Sequence, residues 1–202
     1  MESVYTMEVL MSVGLGLGLA AACGFRVFVP FLAMSIASRA GHLDLSERFD
    51  WIASDVALGV LALATVLEIG SYYVPWLDNL LDTVATPAAV VAGTVAAAAT
   101  FQGTSPLLGW TLAAIGGGGA AGVLQTGTTL LRGLSSISTA GFGNPILSTA
   151  EAGGAASLAS LALLLPLVAL LVVMTLVLTT GVKTARFLGA REQRRSEMHR
   201  AA

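Results

Sequence analysis

Residues 153–182 read GGAASLASLALLLPLVALLVVMTLVLTTGV, a run with no charged side chain and a single proline, Pro166. A helix needs about 20 mostly apolar residues to cross the hydrocarbon of a bilayer, because lipid offers no partner to an exposed backbone amide. This stretch exceeds that length. The rest of the chain agrees with it: of 202 residues, 55% are hydrophobic and only 11% charged, whereas a soluble domain carries roughly a quarter of its residues as charges. The expected fold class is an all-α integral membrane protein.

Working outward from that run, hydropathy and length predict five crossings, at about Met7–Ser38, Trp51–Val74, Val84–Phe101, Leu107–Thr139 and Gly153–Val182. Residues 1–182 then form a single transmembrane domain and 183–202 a basic tail. The third crossing is short, rich in alanine and interrupted by Pro87, while the first and fourth are long enough that they must tilt, break or extend beyond the bilayer. Trp51, Tyr72, Tyr73, Trp76 and Trp110 sit near span ends, where amphipathic rings meet the headgroups.

Of the ten basic residues, six (Lys183, Arg186, Arg191, Arg194, Arg195 and Arg200) fall in the last twenty positions, and between Arg48 and Lys183 the only cation is Arg132. Such a tail marks a cytoplasmic flank. No aromatic residue beyond Phe187 is interleaved with it, so nucleic acid is not an expected partner. Five crossings would place the amino end, with Glu2 and Glu8, outside. The connection holding Arg39 and Arg48 would be inside, and the loops holding Asp78 and Asn144 outside. The expected location is the plasma (inner) membrane. Cys23 is the sole cysteine, which excludes an internal disulfide framework. The first apolar segment lacks the positive amino-terminal region of a cleaved signal and is expected to be retained.

Sliding the chain by 100 positions places Gly16, Gly18, Ala20 and Ala21 over Gly116, Gly118, Ala120 and Ala121. It also places Leu58, Leu61, Ala62 and Leu63 over Leu158, Leu161, Ala162 and Leu163. A true repeat would relate halves at about 10–74 and 110–182, linked by a third helix at 84–101, and the two helix pairs would be inverted in the membrane. Inverted repeats build small transporters, with sites where broken helices expose backbone groups. The alternative is that small residues only let helices pack closely.

A charge at the hydrocarbon centre costs at least about 2.5–3.5 kcal/mol, so intramembrane charges face protein or water and usually have partners. Arg26 and Glu68 are the clearest cases, and their depths differ by roughly one helical turn, which predicts that they pair. Gln125, Thr128, Arg132, Ser135 and Thr139 recur at spacings of three and four, forming one polar stripe on the fourth helix. Thr65, Glu68 and Tyr72 do the same on the second. Arg26, Glu68, Arg132, Gln125 and Thr128 are the expected lining of a substrate or ion pathway. Asp78, Asp82 and Glu151 are expected at an outer acidic mouth, with a solvated acidic surface as the bland reading. No metal site, cofactor or catalytic residue is expected: neither histidine falls in a span, and Cys23 has no base beside it.

The segment from Cys23 to Pro30 (CGFRVFVP) resembles the opening motif of an integral membrane family catalogued as domain of unknown function 4126. So do Glu68 followed by Val74–Asp78, and Arg132 followed by Asn144, Pro145, Ser148 and Glu151. Related sequences often carry a lysine ahead of the arginine and an acidic residue after the last glutamate, where this chain has Thr126 to Thr129 and Ala152. The resemblance implies membrane location and selects these residues, but no reaction.

The residues together suggest a carrier or channel for a small ion or solute, forming homo-oligomers, rather than an enzyme. The alternative is a structural or assembly subunit of a larger membrane complex, without transport of its own.

Overall fold

A computed structural model of the chain describes residues 2–73, 75–101 and 105–201, with side-chain surroundings within 6–73, 80–81, 83–101 and 105–190. Among the described residues the fold is all-helical. The elements are α1 (Glu2–Cys23), α2 (Phe28–Arg39), a 3-10 segment (Glu47–Ala53), α3 (Asp55–Ser71), α4 (Pro75–Thr100) and α5 (Pro106–Leu112). A π-helical turn (Ala113–Gly118) leads into α6 (Gly119–Thr139), which is followed by α7 (Asn144–Leu164) and α8 (Pro166–Ala201).

Five stretches are long and apolar enough to cross a membrane: Thr6–Cys23, Thr83–Thr100, Pro106–Thr139, Asn144–Leu164 and Pro166–Ala190. The 3-10 segment and α3 qualify only together, as a pair bent by 68°. Five were expected, but these are not the same five: the expected second crossing, Trp51–Val74, is present only as the bent pair, the expected first is cut short at Cys23, and the expected fifth is two helices.

The expected first crossing, Met7–Ser38, is two helices that reverse direction. At one end of the bundle, Ser12 donates to the Thr100 carbonyl and the Ser46 amide donates to the Ala99 carbonyl. α1 leaves that end and reaches Gly24, which lies against Ala121 of α6. α2 then returns beside α3. Its first amides meet Glu68 near the end of α3, while Arg39 at its last turn bonds the Ala53 carbonyl and pairs with Asp55 at 2.6 Å, where α3 begins. The expected fifth crossing, Gly153–Val182, is also divided. The chain bends at Leu165 (φ −139°, ψ 70°), because Pro166 lacks the amide that would continue α7. Ala162 and Ala169, on either side of the bend, both pack at Gly18.

These breaks do not obey the 100-residue shift. The α1–α2 reversal at 24–27 falls on uninterrupted α6 at 124–127, and the bend at Leu165 falls on Thr65 in the middle of α3. The inverted repeat is therefore not confirmed.

The interior is built from small side chains. Ala20, Ala21, Ala22, Ala96, Ala97 and Ala99 are buried, while Leu107, Ile115, Ile137, Phe142 and Leu164 are exposed. This inverts the soluble pattern and suits a lipid surround, where close backbone approach rather than water exclusion holds helices together. α1 is the central helix, packed on α4, α7, α8 and the π turn. Gly117 shows the constraint: a Cβ there would meet the Gly93 carbonyl oxygen at 2.7 Å. Widening the helix to a π turn along the glycine run lets α4 sit against it.

Candidate functional site

The reversal between α1 and α2 positions the site. Gly24, Phe25 and Arg26 donate their amides to the Ala21 and Ala22 carbonyls, closing the last turn of α1. A Cβ at Gly24 would meet the Ala121 carbonyl oxygen at 2.6 Å, so the chain can turn this close to α6 only with glycine. The next residues open α2, and its first free amides need acceptors. Glu68 supplies them: Val27 N donates to Oε1 at 2.7 Å and Phe28 N to Oε2 at 3.0 Å. A carboxylate at a helix amino terminus also meets the positive end of the helix dipole.

Arg26 faces the other way, into the space between α7, α6 and the end of α3, and is 1% exposed. Its Nη2 donates to Ser148 Oγ at 2.8 Å and to the Ser148 carbonyl at 3.1 Å, and lies 3.1 Å from Glu151 Oε2. Arg132, 2% exposed, grips the same carboxylate in fork geometry: Nε donates to Oε1 at 3.0 Å and Nη2 to Oε2. Both guanidinium carbons lie over the Tyr72 ring, 3.8 Å from its centroid for Arg26 and 4.0 Å for Arg132. Arg26 Nε finds no hydrogen-bond partner among the described residues.

Two arginines thus converge on one glutamate and one aromatic face, with Glu68 a residue away along the backbone of α2. Among the described residues the cluster pairs two positive groups with two negative ones, and ionised side chains persist away from water when they are paired in this way. Its depth follows from helix lengths. Arg132 is seven residues from the end of α6 and Glu151 seven from the start of α7, so both lie about 10 Å inside that end of the bundle.

The expected pairing of Arg26 with Glu68 does not form. Glu68 caps α2, and Arg26 pairs with Glu151. The reason is directional: the side chain of Arg26 leaves the last turn of α1 toward α7, while the amides of the following residues face α3. Glu151, expected at an open acidic mouth, is instead buried between the arginines. The side chains of Asp78 and Asp82 lie outside the described residues. Gln125 and Thr128 are buried but bond along their own helix, Gln125 Nε2 to Thr129 Oγ1 and Thr128 Oγ1 to the Gln125 carbonyl. Of the expected pathway residues, the structure brings together Arg26, Glu68 and Arg132, and leaves Gln125 and Thr128 one to two turns along α6.

Tyr72 and Ser148 were not among the expected site residues. Tyr72, the residue that caps the end of α3, follows Glu68 by four positions, and Ser148 precedes Glu151 by three on α7, so each falls on the side of its helix that carries a site glutamate. Around them, Tyr73 OH and Thr149 Oγ1 are 2.8 Å apart, and Asn144 Nδ2 donates to Ser136 Oγ at 3.1 Å, tying together the ends of α3, α6 and α7. Among the described residues no three histidine, cysteine, aspartate or glutamate side chains converge as metal ligands.

A family model, described as a domain of unknown function (DUF4126), matches residues 13–185, a range that contains every member of this cluster. Neither the curated proteins nor the solved structures contain a match to the chain.

Proposed function

The chain belongs to the family described as domain of unknown function DUF4126, and from that premise we propose that this membrane-type helical protein is a carrier or channel for a small anion, built around the Arg26–Glu151–Arg132 cluster. One observation carries the reading. Two arginines, a shared glutamate and a capping glutamate are buried at a helix reversal well inside the bundle. Intramembrane charges are costly, and where they occur they mark substrate and ion pathways by default. Helix breaks at such sites expose backbone groups for binding.

The chemistry follows from the shared carboxylate. Glu151 occupies the position in which a small anion would meet both guanidiniums, so an entering anion competes with it, and Arg26 Nε is a donor still available to the substrate. Glu68 keeps α2 in place without using either arginine. The proposed setting is the plasma (inner) membrane, with the basic tail cytoplasmic and the amino terminus outside. α8 begins against Gly14, at the same end as the middle of α1, and its apolar stretch Pro166–Ala190 is long enough to carry the tail across. In this arrangement the Arg39–Arg48 connection falls on the outer side, opposite to the expectation from its cations alone.

The test is anion efflux from liposomes holding the purified protein, with chloride, nitrate, phosphate and acetate each tried. Flux in the parent, and its loss in Arg26→Ala and in Glu151→Gln that still fold, is the expected result. Absence of flux for all four anions from a folded parent rejects the reading. A second reading, a structural or assembly subunit, draws support from the pairing of both arginines within the chain. It expects no flux and co-purification with other membrane proteins. Homo-oligomers fit either reading, because the outer surface is aliphatic along most of its helices.

A further inference from the structure

A groove of about 470 Å³ runs between α6 and α8, beside the charged cluster at Phe25 and Leu131 but lined by none of its charged members. Its walls are Leu124, Leu131, Leu134 and Leu176, and its rim carries one cation, Lys183. The hydroxyl of Thr179, also in the wall, is already bonded to the Thr175 carbonyl, so the floor of the groove offers an occupant little but apolar surface. The close approach of the two helices at Gly127 and Thr180 separates this groove from a second one, of about 680 Å³, on the other side of α8.

The rim differs in kind from the walls. Lys183 is exposed and makes no ion pair among the described residues. It lies seventeen residues into α8, about 26 Å along the helix from Pro166, and the contact of Thr180 with Gly127 sets it about level with Arg132, toward the end of the bundle from which the tail leaves. A lysine at that level reaches its ammonium outward to the interface while its stem stays on the apolar surface. Arg186 is exposed one turn farther on, and the other tail cations follow. An aliphatic slot that ends in positive charge at the membrane surface matches one class of molecule, an amphiphile with a hydrocarbon body and an anionic head.

We propose that the α6–α8 groove binds an anionic phospholipid, its acyl chain lying along the leucines and its phosphate at Lys183. Basic sites between membrane helices hold anionic headgroups in this way, each nearby cation contributing a modest increment. The lipid clamps the second half of α8 onto α6, beyond the packing of its first turns at Gly14 and Gly18 of α1. The proposal stands apart from the transport reading, since neither Arg26 nor Glu151 takes part.

The test is thermal unfolding of the purified full chain in detergent, titrated with phosphatidylglycerol, phosphatidylcholine or inorganic phosphate. Phosphatidylglycerol is expected to stabilise more than phosphatidylcholine, and inorganic phosphate not at all. Lys183→Ala, an exposed position, is expected to weaken the apparent affinity for phosphatidylglycerol about fivefold. Thr184→Phe, which fills the groove without altering charge, is expected to erase the preference. A variant with Arg191→Ala, Arg194→Ala and Arg195→Ala together is expected to keep it. Equal stabilisation by both lipids, an equal response to inorganic phosphate, or loss of the preference in the tail variant but not in Lys183→Ala would each overturn the proposal.

Discussion

Glu151 holds two guanidiniums at once, so its removal is unlike the loss of a surface ion pair. Neutralising it leaves Arg26 and Arg132 beside each other over Tyr72 without the carboxylate they share. Breaking a buried pair by removing one partner typically costs about 3–5 kcal/mol. Glu151→Gln is expected to lose stability of that order, read as a lower unfolding midpoint in detergent. Arg132→Lys should destabilise too, because an ammonium cannot reproduce the two parallel bonds that Nε and Nη2 make. Tyr72 gives a cleaner contrast. Tyr72→Leu removes the ring from both guanidiniums without altering any charge and is expected to cost about 2 kcal/mol in the same assay.

At the level of elements, the reversal between α1 and α2 depends on one acceptor and one missing side chain. Glu68→Ala removes the acceptor for the Val27 and Phe28 amides, and loss of a helix cap costs about 0.5–2 kcal/mol. The expected signature is local, namely faster hydrogen exchange at the start of α2 with the amides of α6 and α7 unchanged. Gly24→Val places a Cβ against the Ala121 carbonyl and the Leu124 side chain. Overpacking of this kind costs about 1–3 kcal/mol, and because backbone rather than a flexible side chain is in the way, α1 and α6 must part. Both substitutions act on the placement of Arg26 without touching its guanidinium, so either should reduce anion flux if the proposed function is correct.

For the whole molecule, the reversal changes which connections share a side. Ser12 and Ser46 are both tied to the last turn of α4, so the middle of α1 and the connection after α2 lie at one end, and the Tyr73 and Asn144 connections at the other. The proposed sidedness can be read by labelling in a Cys23→Ala background. His42→Cys is expected to react with an impermeant maleimide from outside, and His199→Cys only after permeabilisation. Labelling of His42→Cys only after permeabilisation would reverse the assignment and place the Arg39–Arg48 connection in the cytoplasm, where its charges alone had put it. The exposed aliphatic surface and alanine-rich interior also make the molecule dependent on its surround, because little of its stability comes from excluding water.

Much of this was legible along the chain. Long uncharged stretches required membrane-length helices, since the length and apolarity that decide a crossing are properties of single segments. Arg26, Glu68 and Arg132 stood out because a charge is conspicuous against an apolar background. Partners were another matter. Depth counted along ideal helices put Arg26 within about one turn of Glu68, but pairing depends on which way a side chain leaves its helix and on where the chain turns back. The reversal at Gly24–Val27 and the bend at Leu165 sit inside long, mostly apolar runs, and an apolar count over a whole run does not mark where within it the chain turns. That the chain is a bundle of apolar helices carrying a few buried charges follows from its residues taken one at a time, because the cost of unpaired amides and ions in lipid acts residue by residue. That Glu151, 125 positions downstream, neutralises Arg26 emerges in three dimensions alone, because the contact exists only when α1 stops, α7 runs back alongside it, and the two ends are brought together.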